Sequence, residues 1–205
     1  MGSSTFAVGS LDALRALLRD GALTLREHAD VVIVPTAAAF TGFTEAAVLT
    51  GAAFDECDAR VEALMVRDRA ATSDQHLVDR LVGADLVVLC DGSPLHARSV
   101  WRANAFGDAL NTASTLIAIG AVSSALGEVM IDPRGGAPTT GLGFRNGAAL
   151  CLASSDDQMA RTRSLLRDVP LVVLGPTGVV HHDGVRWRVL AGDVVVTRGH
   201  EVIEL

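Results

Sequence analysis

Short runs of β-branched and aliphatic residues alternate along this chain with longer segments whose apolar residues recur at helical spacing. The runs Thr5–Val8, Val31–Val34, Val61–Val66, Leu86–Cys90, Leu116–Gly120 and Val169–Leu174 predict strands. Most are apolar almost without a break, as expected of strands covered on both faces. Between them, Leu11–Arg19 spaces its leucines along one helical face, and Asp74–Val82 predicts a helix with Ser73 as its N-cap. Ser93-Pro94 opens the longest predicted helix, to about Thr112, with proline at its favoured first position. The tail changes character. Val179–His182 and Val185–Leu190 flank Asp183-Gly184, a strong hairpin signal, and Val194–Thr197 follows. Asp132–Gly143 reads as one long irregular loop. The pattern predicts an α/β fold, a three-layer sandwich with a mainly parallel sheet and a C-terminal antiparallel ribbon.

Length and charge narrow this picture. The 205 residues suffice for one buried core, and the chain reads as a single domain over 1–205. A net charge of −7 argues against a nucleic-acid partner, whose phosphates demand a basic surface. No apolar run approaches the roughly 18–20 residues that span a bilayer, so no membrane partner is expected. The first residues show no basic stretch leading into an apolar one, which makes the cytoplasm the expected compartment. The three cysteines, Cys57, Cys90 and Cys151, are widely spaced and read as reduced, mostly buried thiols. All 17 basic side chains are arginine. Chemistry that needs an amine, such as a Schiff base, a Ser–Lys dyad or a Walker lysine, is therefore excluded.

In open α/β sheets, sites form beyond the carboxyl ends of the strands. Three segments meet that description: Pro35–Gly42, Asp91–Pro94 and the bend at Ser123–Ser124. The last, LIAIGAVSSALGEVM, has the outline of a nucleophile elbow, a strand that turns sharply into a helix and presents one side chain at the bend. Such a bend needs small residues two positions either side of the nucleophile. Around Ser124 these are Val122 and Leu126; around Ser123 they are Ala121 and Ala125. The structural alternative is that both serines cap the following helix. Gly92 could offer its N–H to a substrate oxyanion, or Asp91-Gly92 could be an ordinary turn.

Four segments together resemble the cyanophycinase and dipeptidase E group of serine peptidases, which have the class I glutamine amidotransferase-like fold. PTAAAF resembles that family's PTA loop. ADLVVLCDGSPL resembles A-D-x-I-x-x-x-G-G-N-P-L, with Asp91 replacing the first glycine and Gly92 retained. AVSSALGEVMIDPRGGAPTTGLGF resembles G-S-S-A-G-A, a helix, then D-P-R-G-G and G-L-G-L; LVVLGPTGVVHHDGVRWRV resembles the closing ribbon. The resemblance implies Ser124 as the nucleophile position, and Gly92 with Ala125 as oxyanion or binding positions. The family histidine falls where this chain has Ala153, and the acidic partner has no evident counterpart.

A serine without a base is a poor nucleophile, so the resemblance implies a degenerate site that binds a small ligand or partner. The alternative is an active hydrolase of small acidic peptides or amides, using Ser124 and another base. His96, beside the Asp91–Pro94 loop, is the candidate for that base. His181 and His182 point to opposite faces if they lie in a strand, and cannot both enter one site without a bulge. Chemistry at Cys90 or Cys151 is a weaker third reading, since Asp91 beside Cys90 would raise its thiol pKa. No cofactor is expected, and no histidine pair has metal-site spacing. Candidate partners are a small peptide or amide ligand and a second copy of the chain.

Overall fold

The structure is a computed structural model and describes residues 3–205. In chain order, its first half comprises β1 (Ser4–Val8), α1 (Leu11–Arg19), β2 (Ala29–Val34), α2 (Phe43–Gly51), β3 (Ala59–Ala63), α3 (Gln75–Val82), β4 (Leu86–Leu89), α4 (Pro94–Trp101), α5 (Ala105–Thr112) and β5 (Thr115–Ile119). The second half comprises β6 (Val129–Ile131), β7 (Pro138–Thr140), β8 (Ala149–Leu152), α6 (Asp156–Leu165), β9 (Leu171–Leu174), β10 (Val179–His182), β11 (Trp187–Ala191), β12 (Val194–Arg198) and β13 (Glu201–Val202).

A seven-stranded sheet runs in the order β11-β10-β1-β5-β4-β2-β3. Its β1-β5-β4-β2-β3 portion is parallel, and the β10–β11 hairpin adds antiparallel to β1. A second sheet, β13-β12-β9-β8, pairs β8 and β9 in parallel and β12 antiparallel to β9. The fold is thus mixed α/β with a mainly parallel central sheet and antiparallel strands towards the C-terminus. Among the described residues, no helix is long and apolar enough to cross a membrane.

The unbroken apolar strands follow from burial on both faces. In β2, Val31 and Ile33 face a core shared with Leu14 and Leu17 of α1. Val32 and Val34 face the other core, with Leu81 of α3, Trp101 of α4 and Leu110 of α5. The second sheet joins that core through Leu150, Val172 and Leu174, while α6 covers its opposite face around Cys151, Met159 and Val173. At the other end of β1, the buried Arg145 guanidinium donates to Thr5 Oγ1 at 2.6 Å, Ser3 Oγ at 2.6 Å and Asn111 Oδ1 at 3.0 Å. Burial lowers its pKa from the usual value.

Several expectations need correction. The long helix to Thr112 is two helices, α4 and α5, meeting at a corner where Ala103 has φ +53°. Arg69, distant in sequence, donates to the carbonyls of Arg102 at 2.6 Å and Ala103 at 3.1 Å and so caps the first helix. Asn104 caps the second by accepting from Gly107 N–H at 2.9 Å. The cap of α3 is Asp74, whose Oδ1 accepts from His76 N–H; Ser73 bonds back to Ala70 O instead. The loop Asp132–Gly143 contains a strand, β7, which pairs with β6.

Candidate functional site at the ends of the central strands

Where β4 ends, Asp91-Gly92-Ser93 turns the chain into α4, and Ser93 Oγ caps that helix at His96 N–H. The loop after β2 presses on this turn from the side. Ser93 N–H donates to Ala37 O at 2.8 Å, and a Cβ on Gly92, whose φ is +150°, would stand 2.3 Å from that same oxygen. Only glycine lets the two loops come this close.

Next door, β5 ends at Ile119 and the backbone bends at Gly120, with φ +64°. The bend is followed by a 3-10 helix, Gly120–Leu126, and not by the expected α-helix. The physical reason lies in the returning GLGF segment. Leu142 and Gly143 of this segment, with Arg145 just after it, donate to the carbonyls of Ala125, Gly127 and Leu126, which an α-helix running on past Gly127 would need for itself.

These two turns meet through Asp91. Its Oδ1 accepts from Gly92 N–H at 2.7 Å and from Ala121 N–H at 2.8 Å. A Cβ built on Gly120 would stand 2.3 Å from Asp91 Cγ and 2.4 and 2.6 Å from its two oxygens. The carboxylate therefore lies over Gly120 Cα, in the volume where a side chain at the bend would begin. Two N–H groups from adjacent strand ends, converging on one oxygen, have the donor geometry of an oxyanion hole. Here the protein's own carboxylate fills it.

Ser124 does not occupy the bend. It lies within the 3-10 helix, 3% exposed, and its Oγ has no hydrogen-bond partner among the described residues. Val122 and Leu126, which flank Ser124 where an elbow would need small residues, point into the core with no exposure. Ser123 Oγ donates to Gly120 O at 2.7 Å and so closes the turn. It serves the local backbone, although as a donor and not as the accepting cap expected. The second cradle donor is Ala121; Ala125 is wholly buried, and its carbonyl accepts from Leu142.

Ser124 and Ala153 do come together. Both line a cavity of about 190 Å3, with Ser124 in its buried wall and Ala153 and Ser154 exposed at the end of β8. Ala121 lines the same cavity, which joins it to the Asp91 cradle. Among the described residues, no imidazole hydrogen-bonds to Ser124. His96 Nε2 lies 2.8 Å from Arg67 O, and its ring packs edge-on against Phe40. His181 stacks on Phe6 and contacts Ser4 Oγ, whereas His182 turns towards Trp187, each on its own side of β10. Burial lowers the pKa of both.

The thiols are equally unactivated. Burial pushes Cys151, in the cavity wall, up to about 12, and pushes Cys90 up to about 11, with the charge of Asp91 adding to the rise. Among the described residues, no group of three or more His, Cys, Asp or Glu side chains is arranged to hold a metal ion.

No family model matches this chain, and no curated protein matches it. Solved structures do. A peptidase from an acI-B1 Actinobacterium superposes with a TM-score of 0.76 at 16% identity, covering 100% of this chain and 98% of that one. A protein assigned to Peptidase E from Listeria monocytogenes EGD-e superposes with a TM-score of 0.67 at 11% identity, covering 97% and 99%. The chain thus has the fold of these peptidases.

Proposed function

We propose that this chain is a peptidase-fold protein without serine-hydrolase chemistry at its strand-end site, and that it acts by binding a small ligand there. One observation carries the reading: Asp91 Oδ1 already accepts from both N–H groups, Gly92 and Ala121, that could steady a tetrahedral oxyanion. A substrate carbonyl would have to displace a charged acceptor to reach them. Losing one oxyanion donor alone typically costs about 10²–10³ in rate. The remaining machinery is missing as well. The bend residue, Gly120, has no side chain; the nearest hydroxyl, Ser123, is spent on Gly120 O; Ser124 has no base among the described residues; and Ala153 stands at the cavity where an imidazole would be needed. Groups that act as one catalytic unit fail together, so restoring one of them restores little.

The alternative, an active hydrolase of small acidic peptides or amides, is favoured by the peptidase fold of the two structural neighbours. A fluorophosphonate probe separates the readings. The proposal expects no labelling, no turnover of aspartyl dipeptides, and no change in either with Ser124→Ala. Ala153→His is expected to remain silent, even combined with Val122→Gly and Leu126→Gly, because the bend lies at Gly120. Labelling that disappears in Ser124→Ala would establish the hydrolase instead, and His96 would be the first base to test.

A further inference from the structure

We infer that the strand-end crevice is a receptor for a small primary amine, with Asp91 as its counter-charge and the Ser124 cavity holding the neutral remainder of the ligand. This rests on the ligand-binding reading above and gives that ligand its chemical class.

The two oxygens of Asp91 have different fates. Oδ1 is consumed by Gly92 and Ala121, while Oδ2 has no hydrogen bond and no ion pair among the described residues, on a side chain that is exposed. The carboxylate is also held in place, since both backbone donors bind its Oδ1 and Gly120 Cα lies directly beneath. A fixed, half-satisfied anion loses little freedom on pairing with a cation, and a charge-assisted N–H bond to Oδ2 is the contact it lacks. The occupied cradle has reversed the sign of the site. Two N–H groups would draw a carboxylate or an oxyanion; with Asp91 seated in them, the outward face is negative and repels one.

The second observation is Ser124. A hydroxyl that is 3% exposed and has no partner among the described residues is uncommon, and it stands in the wall of the adjoining cavity. That cavity is otherwise neutral, with Ile131, Leu152 and Ser154 among its lining and a protonated Cys151 thiol. Its 190 Å3 is about six water volumes, room for a chain of roughly four to six non-hydrogen atoms. Arg163 acts electrostatically on Cys151, so a second positive charge is unwelcome at the cavity end. The ammonium belongs at Asp91 and the neutral tail beside Ser124.

Three four-carbon probes of similar size test this on the full chain: n-butylamine, n-butanol and butyrate. Each is titrated against the ¹⁵N-labelled protein, read at the amide signals of Gly92 and Ala121. Expected are saturable shifts with butylamine, binding at least about tenfold weaker for butanol, and weaker still for butyrate. Butylamine affinity should fall as salt is raised. Asp91→Asn should cost butylamine about tenfold and leave butanol unchanged. Butyrate binding as tightly as butylamine, no saturable shift with any probe, or unchanged butylamine affinity in Asp91→Asn would each overturn the inference. If Asp91→Asn does not fold, the ranking of the three probes on the unmodified protein still decides. Fluorophosphonate labelling of the same sample would sink the non-catalytic reading without touching the amine result, so the two failures are distinguishable.

Discussion

A single methyl group added at Gly120 should expose the cost of the carboxylate above it. Two effects add in Gly120→Ala. A Cβ in the left-handed region costs about 1–2 kcal/mol against glycine. The new methyl also falls within 2.6 Å of both Asp91 oxygens, so the carboxylate must leave its two N–H partners. Asp91 is exposed and its charge is screened, so each bond is worth about 1 kcal/mol, as for a neutral acceptor. Gly120→Ala should therefore lose about 3 kcal/mol and Asp91→Ala about 2 kcal/mol. The double variant should lose only about 3 kcal/mol, because the side chain that collides is already gone, giving a coupling of about 2 kcal/mol. Urea unfolding of the four proteins, fitted with a common slope, measures the cycle. Additivity within about 0.5 kcal/mol would mean that Asp91 does not sit over Gly120, and the occupied-cradle argument would fall with it.

The two histidines of β10 predict an acid-sensitive stability. Both have folded-state pKa values below the ordinary 6.5, chiefly from burial, so the unfolded chain takes up protons first as pH falls. Stability should be full above about pH 7 and decline below 6.5 towards the depressed values, and urea midpoints in His181→Asn/His182→Phe should flatten across that window; an unchanged slope refutes the assignment. The cysteines should separate by access. Iodoacetamide on the native protein at pH 8 should modify Cys57, which is partly exposed, while Cys90 and Cys151 stay unmodified, with mass spectrometry counting the additions; native-state alkylation of Cys151 would contradict its burial.

The central strands were legible because burial on both faces leaves an apolar signature, as in Val31–Val34, where neighbouring residues enter opposite cores. The corner between α4 and α5 was not, because the cap that stops the first helix comes from Arg69, more than thirty residues earlier in the chain. Nor was α6: Met159 and Thr162 are its buried residues, too few to make an apolar stripe. The site divides in the same way. Motif order brought Ser124 and Ala153 to one cavity. It could not place the bend, since Gly120 reads as the end of an apolar strand in IAIGAV and becomes an elbow only beneath Asp91, a residue from another strand end. Glycine directly after β5, and an acid replacing a glycine after β4, were the two available signals; each is ambiguous until the turns are seen together.

The position of β1 also has a temporal meaning. It lies between β5 and β10, and Ser4 touches His181 across a separation of 177 residues. During synthesis, β1 gains its parallel partner first and meets its antiparallel partner only some 177 residues after its own start. Until then an apolar strand of the forming sheet has an open edge, able to pair with another nascent chain. Assembly so dependent on distant partners is slow as well, since loop closure comes before the contacts that reward it. The ribbon that completes this sheet therefore closes an aggregation-prone interval, and changes in β10 should reduce the yield of soluble protein more than their effect on the finished fold would suggest.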